Sequence, residues 1–364
     1  MKICFLADAR NVHTQKWAGF FVKRGYDVHL ITFLKHNIKG ASVHLIKMDV
    51  PVKISQSART YQKAGYFFYI KKIKALIRDI SPDILHAHYA SSYGFFGALS
   101  NFHPYIISVW GSDIFDFPRR SVFHRYLLKY SLNKADCVTA TSRVLTAETK
   151  KYLTSSKPLH TIPFGVDLHR FKSEKQHEVR DEIVAGIVKN LEPVYGYETL
   201  IKAFSIVVRS NPNIKLLIIG KGSLEGKLKK QCKALNIEKN VEFAGYISNK
   251  NVPEYLNKMD MFILPSLQET FGVSAVEASA CGLPVIASDV CGLPEVVINN
   301  KTGLLVKKGD PEALAEAIIK LADDRELRRK MGKAGRYFIK KNYKWDDNAE
   351  EMDKLYNIII KGSK

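Results

Sequence analysis

Residues 264–290 read LPSLQETFGVSAVEASACGLPVIASDV, and this stretch decides the fold. An apolar run that is typical of a buried strand ends at Pro265 and Ser266, and a helical stretch runs from Gly272 to near Gly282. A second apolar run, PVIASDV, follows directly. Strand, helix and strand in this order predict one unit of a parallel sheet.

The same alternation extends outward along the whole chain, in two series. The first series has apolar runs at 2–8, 27–33, 42–48, 83–89, 105–111 and 137–142, and the second at 182–188, 214–220, 241–247, 261–266 and 284–290. Apolar strands that alternate with helices predict parallel sheets covered on both faces. We therefore predict an α/β protein of two Rossmann-like, doubly wound domains that face each other across a ligand-binding cleft.

The length of 364 residues also agrees with two domains. The polar segment 165–180 lacks a clear period, so we assign residues 1–175 to the first domain and 176–342 to the second. Residues 343–364 have helical spacing. We expect this C-terminal helix to pack back on the N-terminal domain.

The composition excludes several classes of protein. Apolar residues make up 46% and charged residues 25%, which is ordinary for a globular protein. No apolar run reaches the roughly 18 residues that cross a bilayer, and MKICFLADAR resembles a strand rather than a signal peptide. The five cysteines are scattered without a CxxC pair, so neither a disulfide framework nor a zinc site is expected. We expect a cytoplasmic protein.

Positive charge is concentrated in the first half of the chain. Residues 1–170 contain 25 basic and 10 acidic residues, and ten of the eleven histidines lie there. Such an excess indicates an anionic partner, which could be nucleic acid, an acidic membrane surface or a phosphorylated substrate. The alternative is a general basic bias of the source proteome.

Two stretches of this half, 59–80 and 119–135, combine basic with apolar residues. The basic residues are Lys71, Lys72, Lys74 and Arg78 in the first, and Arg119, Arg120, Arg125 and Lys129 in the second. Helices of this kind can lie in an anionic headgroup layer, whereas the alternative is that their apolar faces pack on the sheet. We favour peripheral association with an anionic membrane surface, at the inner face of the plasma membrane. Because no RNA- or DNA-binding motif is present, we expect no nucleic-acid partner.

The stretch 264–290 also carries the chemistry. Gly272 allows a ligand to approach the backbone closely, and N–H groups at a helix start bind phosphate. Glu269 precedes the helix and Glu277 lies inside it. Two carboxylates near a phosphate site are costly unless they accept hydrogen bonds, for which sugar and ribose hydroxyls are suitable donors. The alternative is a solvated loop acid and a helix-surface acid.

Here the sequence resembles a known family. Glu269 and Glu277 form an E-x7-E motif which, with EASACGLPVIAS at 277–288, resembles the retaining glycosyltransferases of family 4, which have the GT-B fold. Further similar segments are IPFGVDLHRF at 162–171, IIGKGSLEGKLKK at 218–230 and VEFAGYISNKNVPEYLNKMDMFILPS at 241–266. The resemblance covers nearly the whole chain.

The resemblance implies a set of roles. Glu277 would bind the ribose hydroxyls and Glu269 the donor sugar, and the backbone of Thr270, Phe271 and Gly272 would meet sugar and diphosphate. The nucleotide end would lie near the residues Gly220, Lys221 and Gly222. The implied reaction moves a sugar from a nucleotide sugar to a glycan or lipid-linked acceptor, as in cell-surface polysaccharide or lipopolysaccharide synthesis, with retention of configuration. It implies front-side attack, and neither a divalent metal ion nor another cofactor.

The second domain departs from the family at its first strand. Members commonly carry an Arg and a Lys there, five residues apart, which contact the diphosphate. Here Asn190 and Tyr195 occupy those positions, and Lys189 lies beside the first. We predict that Lys189 supplies the positive charge with help from Lys221. The alternative is an ordinary surface lysine.

The first domain departs as well. The loop after its first strand lacks paired glycines, and His13, Thr14 and Lys16 could reach the acceptor or the diphosphate, whereas Trp17 is expected in the core. A family histidine is replaced by Trp110.

Two further residues of this domain are candidates for the site. Asp113 could hydrogen-bond a sugar hydroxyl or cap the following segment. His88 ends a strand and is a candidate for the cleft.

Three other functions remain open at this stage. The departures from the family at Asn190, Tyr195 and Trp110 agree with a catalytically silent relative that only binds a nucleotide sugar or glycan. A sugar-nucleotide epimerase with the GT-B fold shares the two-domain design but not this E-x7-E context. A nucleic-acid-binding protein would account for the net charge of +20 but for no motif.

Overall fold

The computed structural model describes residues 1–47, 69–154, 156–174 and 182–362. The chain divides into two compact units, Met1–Pro163 together with the chain from Ala349 onward, and Phe164–Asn348. Each is an α/β unit built on a fully parallel sheet. Together they confirm the fold class expected from the alternating runs.

The first unit contains a sheet of seven described strands in the order β3-β2-β1-β4-β5-β6-β7. The strands are β1 (Lys2–Leu6), β2 (Asp27–Thr32), β3 (Ser42–Leu45), β4 (Ile84–His88), β5 (Tyr105–Val109), β6 (Cys137–Ala140) and β7 (Leu159–Thr161). The helices are α1 (Val12–Lys23), α2 (Ile70–Ile80), α3 (Tyr93–Ser100), α4 (Ser112–Phe115), α5 (Val122–Lys134) and α6 (Arg143–Lys150). Every residue of β4 and β5 is buried, as expected for strands covered on both faces.

The second unit contains a sheet of six described strands in the order β10-β9-β8-β11-β12-β13. The strands are β8 (Ile183–Val188), β9 (Ile214–Ile219), β10 (Val241–Gly245), β11 (Met261–Leu264), β12 (Val285–Ser288) and β13 (Gly303–Val306). The helices are α7 (Tyr197–Ser210), α8 (Glu225–Ala234), α9 (Val252–Asn257), α10 (Val273–Ala280), α11 (Leu293–Val296), α12 (Pro311–Asp323), α13 (Arg325–Asn342) and α14 (Trp345–Gly362).

The division between the units falls at Pro163, earlier than the expected boundary at residue 175. The segment that follows belongs to the second unit because Val166 pairs with Lys344 in a parallel bridge. Arg336 also donates a hydrogen bond to the carbonyl of Phe171, at 3.2 Å. Polarity suggested a linker here, but the backbone of this segment is held by the helices that end the second unit.

The C-terminal helix α14 continues into the first unit from Ala349 onward. The hydroxyl of Tyr356 hydrogen-bonds Nδ1 of His86 on β4, and Asp353 accepts a hydrogen bond of 2.8 Å from Tyr26. On its other side, Nε2 of His86 lies 2.7 Å from the hydroxyl of Ser108. Burial lowers the pKa of His86 to about 3, so this imidazole is neutral. These bonds hold the last helix on the central strands of the first sheet.

Among the described helices, none is both long and apolar enough to cross a bilayer. Trp17 is buried in α1, so its expected place in the core is confirmed. The sequence missed β7 and β13, which are the last strand of each sheet. β7 has only three residues, too few to show an apolar period. β13 is as long as β11 and β12, so its length does not explain why it was missed.

Candidate functional site

The site of the second unit begins where the strand order reverses. From β8 the chain continues to β9 on one side of the sheet, and from the neighbouring β11 it continues to β12 on the other side. Open α/β sheets bind ligands beyond the carboxyl ends of the strands at such a point. Lys189 directly follows β8, and the loop that contains Glu269 follows β11. The topology therefore brings together two residues that are 80 positions apart in the sequence.

Lys189 and Glu269 form an ion pair. The ammonium Nζ lies 2.6 Å from Oε2 of the carboxylate, and the two side chains are only 16% and 12% exposed. Burial by itself lowers the pKa of Lys189, but Glu269, with contributions from Tyr195 and Glu277, raises it, and the net pKa lies above its ordinary value. Lys189 is therefore a charged, nearly buried group and not an ordinary surface lysine.

Two tyrosines hold Lys189 in this position. The ring centroid of Tyr195 lies 4.7 Å from the ammonium, and the hydroxyl of Tyr197 donates a hydrogen bond of 2.8 Å to the Lys189 carbonyl. The sequence showed Tyr195 only as the replacement of a family lysine. Its cation–π contact with Lys189 was not predicted, and no spacing in the sequence points to it.

The loop after β11 turns into α10 at Gly272. This glycine has a φ of +88°, and a Cβ on it would lie 2.7 Å from the Leu293 side chain. It is also the N-cap residue, and in the described structure no side chain caps the first turn. The N–H groups of that turn point away from the helix and are suited to an anion.

Phe271 contributes to this corner through its backbone. Its side chain is buried and packs against the rings of Phe164 and Tyr343, with centroids 6.3 and 5.4 Å away. The neighbouring Thr270 carbonyl lies so close to Gly292 that a Cβ there would be only 2.1 Å away. The loop before α10 and the loop after β12 therefore pack against each other.

Glu277 lies in α10 and is buried. Its negative charge contributes to the raised pKa of Lys189, so the two acids of the E-x7-E motif and one ammonium belong to one electrostatic group. The hydroxyls of Ser266 and Ser274 are also buried in this corner and have no hydrogen-bond partner among the described residues. Neither serine was singled out in the sequence.

Residues Gly220, Lys221 and Gly222 follow β9 and lie against the chain that carries Lys189. Gly220 has a φ of +145°, and a Cβ on it would lie 1.9 Å from the Lys189 carbonyl. The Leu191 N–H donates a hydrogen bond of 3.1 Å to the Lys221 carbonyl. The loop predicted to bind the nucleotide end therefore packs against the backbone next to the predicted cation, Lys189. The side chain of Lys221 is exposed.

The predicted residues of the first unit meet at its own reversal of strand order, between β1 and β4. Oγ1 of Thr14 lies 3.1 Å from Nδ1 of His88, and the His88 ring lies 4.6 Å from that of Trp110. Trp110 also meets the ring of His13, at 5.8 Å. Burial, together with the charges of nearby histidines, lowers the pKa of His88 well below its usual value, so it is neutral. Lys16 follows on α1 and is half-buried.

Asp113 is buried and its carboxylate binds backbone amides. Oδ1 accepts hydrogen bonds from the N–H groups of Gly111, at 2.8 Å, and Trp110, at 3.2 Å, and Oδ2 accepts one from Ala90, at 2.9 Å. Burial raises the pKa of Asp113, and these bonds partly offset that rise. The predicted capping of the following segment is wrong, because these amides all precede Asp113 in the sequence and the start of α4 has no side-chain cap among the described residues. A contact with a sugar hydroxyl stays a prediction.

In the described ranges, no three side chains of His, Cys, Asp or Glu are grouped as a metal site would require. The polar groups at the corner of the second unit are instead one ammonium, two carboxylates, two hydroxyls and the amides of a helix start. The whole set suits a ligand that combines anionic oxygens with several hydroxyl groups.

Two Rossmann-like parallel sheets, with this corner at the switch point of the second, define a GT-B-type glycosyltransferase. Two family models match the chain, "Glycosyl transferase 4-like" over residues 2–142 and "Glycosyl transferases group 1" over residues 169–338. The chain belongs to the group 1 glycosyltransferases of family 4, a family of enzymes that transfer glycosyl groups.

Curated relatives agree with this assignment. An N-acetyl-alpha-D-glucosaminyl L-malate synthase from Bacillus anthracis is 27% identical over 94% of this chain and 92% of its own length. A capsular polysaccharide biosynthesis glycosyltransferase, CapM from Staphylococcus aureus, is 30% identical over 66% of this chain and 67% of its own.

Among solved structures, the Anabaena protein HepE in complex with UDP and glucose superimposes with a TM-score of 0.81. It is 19% identical, and the match covers 98% of this chain and 99% of HepE. At this identity the likeness supports the fold and not a shared substrate.

Proposed function

We propose that this protein transfers a sugar from a nucleotide diphosphate sugar to a glycan or lipid-linked acceptor, with retention of anomeric configuration and without a metal ion. The observation that carries the proposal is the grouping of Lys189, Glu269 and Glu277 beside the uncapped start of α10. No simpler anion would need two carboxylates at its binding site, because a carboxylate repels an anion that offers it no hydrogen-bond donor.

The donor fits this corner group by group. The diphosphate takes the N–H groups of the α10 start and shares the ammonium of Lys189, while Lys221 lies at the nucleotide end. The sugar hydroxyls donate to Glu269 and the ribose hydroxyls to Glu277, and a hydroxyl-rich ligand also gives Ser266 and Ser274 partners. HepE, whose fold this chain shares, was solved with UDP and glucose, which belong to this class of ligand.

Catalysis then consists mainly of stabilising charge on the leaving group. The bond between the anomeric carbon and the diphosphate oxygen breaks, and the acceptor oxygen forms its bond on the same face of the sugar. The acceptor proton passes to the departing diphosphate, whose growing negative charge is met by Lys189 and the helix amides. We assign acceptor binding to the first unit, where His13, Thr14 and Lys16 begin α1.

The acceptor class is the finer part of the proposal. The capsular polysaccharide role of CapM supports a surface glycan, and the basic excess in residues 1–170 supports an acceptor that is anionic or carried on an anionic membrane surface. A place on the cytoplasmic face of the membrane would give the enzyme both a nucleotide sugar and a lipid-linked acceptor.

One observation favours a second candidate, a silent relative that binds a nucleotide sugar without transferring it. Asn190 and Tyr195 replace the Arg and the Lys that family members commonly carry. The positive charge of Lys189 beside them is already paired with Glu269, at 2.6 Å. Measured turnover separates the two functions.

Thermal unfolding with a panel of UDP-, GDP-, ADP- and TDP-sugars, followed by transfer assays with each stabilising donor, tests the proposal. A donor that binds the folded state raises the unfolding temperature by mass action. Glu269→Gln abolishes most of this shift, whereas Glu254→Gln, which removes an exposed lysine partner at 2.8 Å, leaves it unchanged. If no nucleotide sugar stabilises or is consumed, the proposal is wrong.

A further inference from the structure

The two basic and apolar stretches of the sequence behave differently in the structure. Residues 59–68 of the first lie outside the described residues. The remainder forms α2, which buries Ile73, Ile77 and Ile80 in the core of the first unit and exposes Lys71 and Lys72. For α2 the packing alternative holds, since its described apolar side chains are already covered.

Helix α5 of the second stretch exposes apolar side chains at its start. Val122, Phe123 and Tyr126 are 82%, 54% and 65% exposed. At about 100° per residue, Val122 and Tyr126 lie about 40° apart around the helix axis, and Phe123 lies on the same outward side. The opposite side of the helix buries Leu128 and Leu132. α5 is therefore apolar on two sides, and only one of them packs against the part of the chain that the structure describes.

Cations surround the exposed side. Arg119 and Arg120 come just before the helix, and Arg125 and Lys129 lie within it, all exposed. Arg119 has a partner at the rim, because its guanidinium lies 3.9 Å from Glu148, which also pairs with Lys151 at 2.6 Å. We call these four cations, together with Val122, Phe123 and Tyr126, the α5 patch.

We propose that the α5 patch docks this protein on an anionic lipid bilayer, with Phe123 and Tyr126 entering the headgroup layer and the four cations binding lipid phosphates. Clustered, exposed apolar groups are unfavourable in water unless a partner covers them. Aromatic rings with basic neighbours suit the boundary between headgroups and acyl chains, and the surplus of cations complements anionic lipid. A nucleic acid would bind the cations but would leave Val122 and Phe123 without a function.

The inference rests on the proposed function in one respect, since a lipid-linked acceptor explains why a glycosyltransferase would dock on a bilayer. The two fail separately. Vesicle binding is measured without donor or acceptor, and the donor-dependent rise in unfolding temperature is measured without lipid.

The test is cosedimentation with vesicles of phosphatidylcholine, alone or mixed with phosphatidylglycerol. The full chain binds the mixed vesicles and not the neutral ones. The triple change Val122→Ser, Phe123→Ser, Tyr126→Ser lowers the partition coefficient about tenfold or more, because the inserted apolar groups are gone. The double change Arg120→Gln, Arg125→Gln lowers it about fivefold or more at low salt, and added salt removes this difference.

Matched variants elsewhere in the chain serve as controls. Lys71→Gln with Lys72→Gln removes the same charge from α2 and changes binding by about twofold at most. Tyr337→Ser with Ile358→Ser removes side chains that are 70% and 67% exposed, and leaves binding unchanged. All variants keep the unfolding temperature and the donor-dependent shift of the parent protein.

Three outcomes would overturn the inference. One is that the parent protein ignores anionic vesicles. Another is that the α2 variant loses as much affinity as the α5 variants, which would mean that net charge alone attracts the protein. The third is that the triple serine variant converts a dimer into a monomer in sedimentation, which would make the α5 patch a contact between two copies of the chain.

Discussion

Both sheets have a switch point where the strand order reverses, and the side chains at the two switch points differ in charge. At the switch point of the second sheet, Lys189 and Glu269 are charged and lie at the edge of solvent. At the switch point of the first sheet, His88 is neutral and buried, and the Asp113 carboxylate is occupied by backbone amides. The same topology thus supports a charged group in one unit and a neutral, buried group in the other.

The largest effect is expected from breaking the charged corner. Lys189→Ala removes the cation that meets the diphosphate and leaves Glu269 without its ammonium, so kcat/KM for transfer falls about 100- to 1,000-fold. Lys258→Ala is a matched control, because Lys258 also lies over a tyrosine ring, at 4.5 Å, and beside a glutamate, at 2.8 Å, but is exposed. Steady-state kinetics with the best donor measure both, and equal donor affinity and turnover in Lys189→Ala would reject its role.

The next largest effect is expected on the stability of the first unit. Asp113→Ala leaves three buried N–H groups without their acceptor, at roughly 1 kcal/mol or more for each group. We expect a loss of about 3 kcal/mol in the free energy of unfolding, measured in urea, with donor binding retained in the folded protein. A fully stable Asp113→Ala protein that has lost transfer would instead place Asp113 in the sugar site.

The neutral histidines of the first unit make its stability depend on pH. Burial lowers the pKa of His86 to about 3, and His88 is lowered too, so in the folded state both remain unprotonated while the unfolded chain takes up protons below about pH 6.5. Stability is therefore complete above that pH and falls as pH decreases, by about 1.4 kcal/mol per pH unit for each histidine.

Unfolding free energies measured between pH 7 and about 5 test this dependence. His88→Gln removes one histidine's share of the slope, whereas His169→Gln, at an exposed position, leaves the slope as it was. An unchanged slope in His88→Gln would mean that folding does not lower the pKa of this ring.

The smallest effect is expected from replacing Tyr195, the aromatic neighbour of Lys189. Tyr195→Leu removes the ring 4.7 Å from the Lys189 ammonium, and a cation–π contact of about 0.5–1 kcal/mol corresponds to a two- to fivefold rise in donor KM. Tyr195→Phe keeps the ring and restores the parent value. If donor KM rises equally in both variants, the hydroxyl and not the ring of Tyr195 is responsible for the effect.

The sequence predicted much of the fold because apolar periodicity reports burial. Each of the eleven apolar runs contains a strand. The three residues of β7 are too few to form a pattern, whereas β13 is as long as four strands that were predicted. The boundary at residue 175 was wrong because the polar segment after Pro163 is held by long-range backbone pairing, such as that of Val166 with Lys344. Composition carries no information on such pairing.

The site was predictable only where a motif fixed it. The spacing of Glu269 and Glu277 singled out both acids, but the 2.6 Å pairing of Glu269 with Lys189 depends on β8 and β11 being neighbours. The binding of backbone amides by Asp113 was not predicted, because the sequence suggested only capping of the following segment or sugar binding. Its amide partners come from the loops after β4 and β5, which are distant in sequence.

The placement of α14 has a consequence for synthesis on the ribosome. The second unit is one continuous segment, Phe164–Asn348, whereas the first needs Asp353 and Tyr356 to complete the bonds to Tyr26 and His86. The half of the protein that is translated first is therefore finished last. Released chains that are truncated just after Asn348 should protect residues 164–348 from protease while residues 1–163 are still digested.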